Sequence, residues 1–184
     1  MCYNYPMNYR RAFIQNSYLH IVIVSYERKP IFVSNIVILR NAFINAKRYY
    51  NFEITAICIL PEHIHLLIKP QNIFEYPKII SSIKYYFSKN VGQECPTYNL
   101  KSGYKNKREK GIFQHRYFEH TILDENDFEK QLNYIHYNPV KHNLVQNVKD
   151  WEYSSFRKFV KQGVYEENWG TSFDVEKIKD LNFE

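Results

Sequence analysis

Two histidines stand one residue apart in the segment PEHIHLLIKP, which spans residues 61–70. Alternate side chains of a β-strand share a face, so His63 and His65 would point one way and the apolar residues between and after them would point into the core. Two imidazoles on one face can bind the same metal ion, and we expect them to face a polar site. A metal ion used in phosphate chemistry also needs oxygen ligands and open positions for the substrate. On the spacing alone, two ordinary sheet histidines remain the alternative.

A tyrosine and an asparagine lie four residues apart in DENDFEKQLNYIHYNPV, residues 124–140. At this spacing Tyr134 and Asn138 share one face of a helix. A tyrosine phenolate can attack a phosphodiester to give a phosphotyrosine and a free hydroxyl, and the amide oxygen of Asn138 can supply a third metal ligand. Tyr137 is a second candidate nucleophile, but it lies about 60° from Tyr134 around the helix, whereas Asn138 lies about 40° away. Alternatively, Tyr134 packs in the core and Asn138 merely ends a helix before Pro139.

A basic segment, KSGYKNKREKGIFQHRYFEH, occupies residues 101–120 and carries six lysines and arginines against two glutamates, a net charge of +4. Cations pair with phosphates and the interleaved tyrosine and phenylalanine rings can stack on unpaired bases, so the segment suits a nucleic acid. A solvated loop with ordinary lysines is the alternative. Residues 150–184 carry −3 and are not expected to follow a nucleic-acid backbone. The candidate residues for binding the nucleic acid are Lys105, Lys107, Arg108, Lys110 and Arg116.

The hydrophobic pattern predicts the elements that would position these residues. The third helix is expected to end near Asn138, because Pro139 disfavours helical geometry in the residue before it. The other predicted elements are a strand within 17–32, a helix over 34–50 capped by Ser34, strands over 52–60 and 63–69 joined as a hairpin, a helix over 74–91 and a strand over 117–123.

The order strand, helix, strand, strand, helix, strand is the split βαβ plan. It predicts an α+β, ferredoxin-like (RRM-like) fold, in which an antiparallel sheet carries its helices on one face. A chain of 184 residues suits a single domain, with a catalytic core over about 10–145 and a C-terminal helix and acidic tail over about 146–184. The short C-terminal helix is expected within 151–163.

Composition narrows the cellular setting. The sequence contains neither a run of 18 apolar residues nor the layout of a signal peptide, so we expect neither membrane insertion nor export, and a cytoplasmic protein. Cys2, Cys58 and Cys95 are scattered and lack metal-binding spacing, which predicts free thiols.

Three motifs, PEHIHLLI, FQHRYFEHTILDENDFEKQLNYIHYNPVKHNLV and WEYSSF, closely resemble the REP-associated tyrosine transposases, a branch of the single-tyrosine HUH transposases. The similarity covers most of the chain. It implies that His63 and His65 bind Mg²⁺ or Mn²⁺, that Tyr134 attacks single-stranded DNA and that Asn138 is a further ligand. Relatives usually have glycine where this chain has Asn143. Asparagine tolerates a left-handed backbone, so we expect the turn after Val140 to be kept.

The resemblance implies an enzyme that cleaves and rejoins single-stranded DNA next to hairpins, through a 5′-phosphotyrosine and without an organic cofactor. The expected partner is single-stranded or hairpin DNA, and the expected state is a monomer or a homodimer. A non-catalytic, ferredoxin-like protein that binds single-stranded nucleic acid is the alternative, because such sheets also bind RNA. A metal hydrolase without a covalent step ranks last, because it would need further Asp and His ligands nearby.

Overall fold

The structure, a computed structural model, describes residues 13–94 and 111–170, excluding the side chains of 92–94. Within these residues, four strands and four α-helices follow one another in the order β1, α1, β2, β3, α2, β4, α3 and α4. Their bounds are β1 Leu19–Val24, α1 Ile36–Tyr49, β2 Phe52–Ile59, β3 His63–Pro70, α2 Tyr76–Glu94, β4 Phe118–Thr121, α3 Glu125–Lys141 and α4 Phe156–Lys161.

The four strands form one antiparallel sheet in the order β2-β3-β1-β4. Both βαβ crossovers of the split plan are present, which confirms the predicted α+β, ferredoxin-like fold. The predicted β2–β3 hairpin is also confirmed: Leu60 donates its N–H to the carbonyl of His63 at 2.8 Å across the turn. The hairpin turn is tied to the chain beyond β1, because Ser25 N–H donates to the Glu62 carbonyl at 2.8 Å. His63 therefore begins its strand at a fixed place.

Side-chain alternation divides the buried residues between two cores, one on each face of the sheet. On the first face Ile21, Ile23, Ile64 and Leu66 pack with α1 and α2. On the second face Ala56, Cys58 and Leu67 pack with α3 and the segment that follows it. The expectation of helices on one face holds for α1 and α2, whereas α3 and α4 cover the opposite face. Strand β3 is consequently buried on both sides.

The third helix differs from its prediction at its C-terminal end. It begins as expected, with the Asp124 side chain accepting a hydrogen bond from Asp127 N–H at 2.8 Å. It does not end near Asn138 but continues through Pro139 to Lys141. The prediction was wrong because Pro139 removes only one amide donor and the turn that follows still closes.

The turn after α3 is a Schellman motif. Asn143 adopts φ +56°, its N–H donates to the Val140 carbonyl at 3.0 Å, and Leu144 N–H donates to the Pro139 carbonyl at 2.9 Å. The expectation that Asn143 takes a left-handed backbone is confirmed. The helix thus ends at Lys141, two residues past the proline, and the left-handed residue Asn143 closes the turn that follows.

Smaller differences concern the first and last helices. The N-cap of α1 is Asn35 rather than Ser34, whose hydroxyl instead donates to the Ile31 carbonyl at 3.2 Å. The segment before α4 bonds to β2, with Ile59 N–H donating to Tyr153 O and Ser155 N–H to Ile57 O, each at 2.8 Å. Only six residues of the predicted C-terminal helix are helical.

Two further observations concern the composition-based expectations. Cys58 is a buried free thiol, and burial raises its pKa. Cys2 and Cys95 lie outside the described residues. Within 13–94 and 111–170, no helix is long and apolar enough to cross a membrane.

Candidate active site

The two histidines of the HIH segment lie on the sheet face that α3 covers. His65 is opposite Val22 of β1 and His63 is opposite Val24, so both share the face of these valines. Their ring centroids are 4.9 Å apart, and the His142 ring lies 4.8 Å from that of His63. Both side chains are fully buried, at 0% exposure. The two imidazoles therefore lie together on one sheet face, covered in this structure rather than open to solvent.

Helix α3 brings Tyr134 to this pair. The Tyr134 ring lies 5.5 Å from the His65 ring, edge to face, and is itself 0% exposed. Lys141 Nζ donates a hydrogen bond to Tyr134 Oη at 2.9 Å and lies 4.7 Å from the ring centroid. Lys141 is seven residues after Tyr134, two turns along the same face. The continuation of α3 past Pro139 is what positions this cation.

The other tyrosine of the motif lies elsewhere. Tyr137 is buried in the second core with Val148, and its ring lies beside Gly170. The neighbouring His136 also belongs to this core, hydrogen-bonded to Ser155 Oγ at 2.8 Å, and burial lowers its pKa to about 3. Of the two candidate nucleophiles, only Tyr134 contacts the histidine pair among the ring contacts of the described residues.

Asn138 lies one turn after Tyr134 and is fully buried. Its Nδ2 donates to the Tyr134 carbonyl at 3.1 Å. Its Oδ1 is buried and accepts no hydrogen bond from the described part of the chain. A buried amide oxygen without a donor costs about 1–3 kcal/mol, so it is a candidate for binding a cation. The described residues contain no cluster of three His, Cys, Asp or Glu side chains suited to a metal.

A chain of buried polar side chains continues from His65 away from Tyr134. His65 Nδ1 lies 3.1 Å from His20 Nε2, and His20 Nδ1 lies 2.6 Å from Gln131 Oε1. Gln131 Nε2 donates to Asp127 Oδ1 at 3.3 Å, and His120 Nε2 lies 2.8 Å from Asp127 Oδ2. Five side chains from three strands and α3 are thereby linked.

Burial and charge set the protonation of this chain. Burial lowers the pKa of His20 to about 4, so its imidazole is neutral near pH 7. Burial raises the pKa of Asp127, but hydrogen bonds from Leu123 N–H and from His120 outweigh it and hold that pKa below its ordinary value. The chain thus ends in a carboxylate.

Sequence reasoning did not find His20, Gln131, Asp127 or Lys141. His20 stands at an alternate position of a strand, as His65 does, but only the pairing of β1 with β3 makes them diagonal neighbours. Gln131 lies one turn of α3 before Tyr134, and Asp127 lies two turns before it. The i, i+4 spacing Asp127–Gln131 was a readable signal that the two share a helix face.

The basic segment is only partly described. Lys105, Lys107, Arg108 and Lys110 lie outside the described residues. Arg116 is exposed and lies in the loop before β4. Their predicted contacts with DNA stay predictions.

Comparison with known proteins identifies the family. The family described as "Transposase IS200 like" matches residues 13–138. A Haemophilus influenzae protein named as a REP-associated tyrosine transposase is 42% identical over 177 residues, covering 94% of this chain and 97% of that protein. The REP-associated tyrosine transposase of Escherichia coli is 31% identical over 163 residues, covering 88% and 89% of the two chains.

A solved structure of the same family is similar to this chain in fold as well as in sequence. The structure of a REP-associated tyrosine transposase bound to a REP hairpin superposes with a TM-score of 0.75 at 30% identity, covering 90% of this chain and 94% of that one. The two chains accordingly share the ferredoxin-like fold. This chain belongs to the IS200-like transposases, within the REP-associated tyrosine transposases.

Proposed function

We propose that this chain cleaves and rejoins single-stranded DNA next to hairpins, with Tyr134 as the nucleophile that forms a 5′-phosphotyrosine. The observation that carries the proposal is the contact of the Tyr134 ring with His65, at 5.5 Å between centroids. A nucleophile and a metal-binding pair must act on the same phosphate, and these side chains adjoin. That a relative has been solved with a REP hairpin supports hairpin DNA as the substrate class.

We propose that His63, His65 and the amide oxygen of Asn138 hold a magnesium or manganese ion. Support comes from the shared strand face of the two histidines and from Asn138 Oδ1, a buried acceptor without a donor among the described residues. A bound ion of this kind supplies Lewis-acid stabilisation of charge on a phosphate oxygen. Because all three ligands are neutral, they would not reduce the positive charge available to the phosphate.

Lys141 would assist the nucleophile. Its ammonium donates to Tyr134 Oη at 2.9 Å, so it can offset negative charge on that oxygen as the phenolic proton is lost. Oη then bonds to phosphorus, the bond from phosphorus to the 3′ oxygen breaks, and that oxygen takes up a proton. Attack by a 3′-hydroxyl on the phosphotyrosine reverses these changes and rejoins DNA. Bond energy is kept in the covalent link, so no nucleotide cofactor is required.

Access to the site requires movement. Tyr134, His63 and His65 are each 0% exposed. A phosphodiester has to reach Tyr134 Oη, so the side chains around it must shift when DNA binds, including the half-buried Lys141. The described state is therefore a closed one.

The alternative function, binding of single-stranded nucleic acid without cleavage, gains less support. RNA-binding ferredoxin-like sheets stack bases on an open sheet face. Here α1 and α2 cover one face, and α3 and α4 cover the other.

The experiment incubates the full chain with a labelled hairpin carrying a single-stranded extension, in Mn²⁺ or in EDTA, followed by denaturing electrophoresis. We expect a protein–DNA adduct and a shortened 3′-hydroxyl strand in Mn²⁺ only. Retention of the hairpin in a native gel without any adduct in Mn²⁺ would instead establish the non-catalytic alternative.

A further inference from the structure

The polar chain that reaches His65 has a direction that its end groups determine. Asp127 is a carboxylate, and a carboxylate only accepts hydrogen bonds. The Gln131 amide must therefore turn its NH₂ group toward Asp127 Oδ1, 3.3 Å away. This leaves Gln131 Oε1, an obligate acceptor, facing His20 Nδ1 at 2.6 Å. His20 consequently carries its hydrogen on Nδ1.

The direction continues from His20 to His65. A neutral imidazole has one N–H, and His20 is fully buried, where a charged ring is disfavoured. With its hydrogen on Nδ1, His20 presents Nε2 as an acceptor to His65 Nδ1, 3.1 Å away. His65 Nδ1 must then be the donor. A neutral His65 thus keeps its lone pair, not a hydrogen, on Nε2.

We propose that Asp127, Gln131 and His20 are positioning residues that hold His65 in the Nδ1–H tautomer, with Nε2 as the metal ligand. The metal part of this inference rests on the proposed function, whereas the tautomer does not. Groups that bond the second nitrogen of a metal-binding histidine fix its orientation and raise its basicity. Asp127, Gln131 and His20 form a relay in which two side chains stand between the carboxylate and His65, so a change at Asp127 should alter the tautomer of His65.

The first test uses the metal-free, full-length protein with ¹⁵N-labelled histidine. Long-range ¹H–¹⁵N correlation spectra identify which ring nitrogen carries the hydrogen. We expect His20 and His65 both to be Nδ1–H tautomers at neutral pH. A hydrogen on His65 Nε2 would overturn the relay, whether or not the protein binds metal or cleaves DNA.

The second test is the isosteric variant Asp127→Asn. Leu123 N–H donates to Oδ2 at 3.0 Å, so the new amide must keep its oxygen there and turn its NH₂ group toward Gln131. Gln131 must then accept from residue 127 and offer its own NH₂ group to His20 Nδ1. Each hydrogen bond of the relay then runs in the opposite direction. His20 donates from Nε2 to His65 Nδ1, and His65 carries its hydrogen on Nε2. We expect that tautomer in the spectrum and a 10- to 100-fold weaker Mn²⁺ affinity by titration calorimetry.

Asp124→Asn is the matched control. It removes the same charge in the same turn, and asparagine is as good an N-cap as aspartate. Asp124 accepts from Asp127 N–H and makes none of the relay bonds. We expect its histidine tautomers and Mn²⁺ affinity to equal those of the wild type. Unchanged tautomers in Asp127→Asn would refute the relay. If neither protein binds Mn²⁺ while the tautomers still switch, the relay stands and the proposed metal site fails.

Discussion

Asn138→Ala separates the metal-binding role of this side chain from its structural role. The Asn138 Nδ2 hydrogen bond to the Tyr134 carbonyl, at 3.1 Å, contributes about 0.5–1.5 kcal/mol. The variant also removes the buried Oδ1, which accepts no hydrogen bond within the described residues and destabilises the wild type by about 1–3 kcal/mol. Alanine also has a helix propensity up to about 0.7 kcal/mol better, which the small cavity offsets. We expect the metal-free unfolding free energy to change by less than about 1 kcal/mol, or under about 4 °C in Tm.

Metal binding should reveal the difference. Mn²⁺ at one hundred times its Kd raises the unfolding free energy of the wild type by about 2.7 kcal/mol. If the loss of one ligand weakens binding 100-fold, the same concentration stabilises Asn138→Ala by only about 0.4 kcal/mol. Thermal unfolding followed by circular dichroism, with and without Mn²⁺, measures both quantities.

Asn133→Ala is the control for this comparison. It makes the same substitution on the same helix and removes a hydrogen bond that Asn133 Oδ1 accepts from Tyr165 Oη at 2.8 Å. It should lower the stability of the metal-free protein yet keep the full Mn²⁺ response. An equal Mn²⁺-induced stabilisation of Asn138→Ala and wild type would refute the ligand assignment.

Three further predictions concern the other site residues. Lys141→Met should slow adduct formation about 10-fold or more in single-turnover assays, and Lys141→Arg should recover part of that loss, because it restores a cation beside Tyr134 Oη. Equal rates for wild type and both variants would exclude a role for the cation. His63→Ala and His65→Ala should each abolish cleavage while hairpin binding in native gels is largely kept, with a lower Tm because both rings are buried; cleavage at the wild-type rate by the double variant would exclude the metal pair. A variant of the basic segment neutralises four residues together, Lys105, Lys107, Arg108 and Lys110. It should bind DNA more weakly, and the slope of log affinity against log salt concentration should fall by about 0.7 per lost phosphate contact, whereas an unchanged slope would show that the segment does not contact the DNA backbone.

The sequence predicted the fold well because each element has a strong local signal. The alternation in β3 and the apolar stripes of α1 and α2 are properties of single segments. The order of those segments along the chain is then compatible with few sheet topologies. The exact end of α3 was harder, because the effect of Pro139 had to be weighed against the Schellman turn at Asn143, and the two compete in the folded chain.

The site was predicted in part for a similar physical reason. Tyr134 and the two histidines stand in recognisable local patterns. His20 does not, because its position next to His65 depends on the register between β1 and β3, which no single segment determines. The burial of the histidines was also not foreseen, since it comes from α3 packing on a sheet face expected to face a polar, accessible site.

The most direct test of the central claim is to map the covalent nucleotide. The adduct formed on hairpin DNA in Mn²⁺ is digested, and fragmentation of the tryptic peptide 131–141 distinguishes Tyr134 from Tyr137. We predict a nucleotide on Tyr134, no adduct from Tyr134→Phe despite retained hairpin binding, and a normal adduct from Tyr137→Phe. A nucleotide on Tyr137, or an adduct that persists in Tyr134→Phe, would contradict the account.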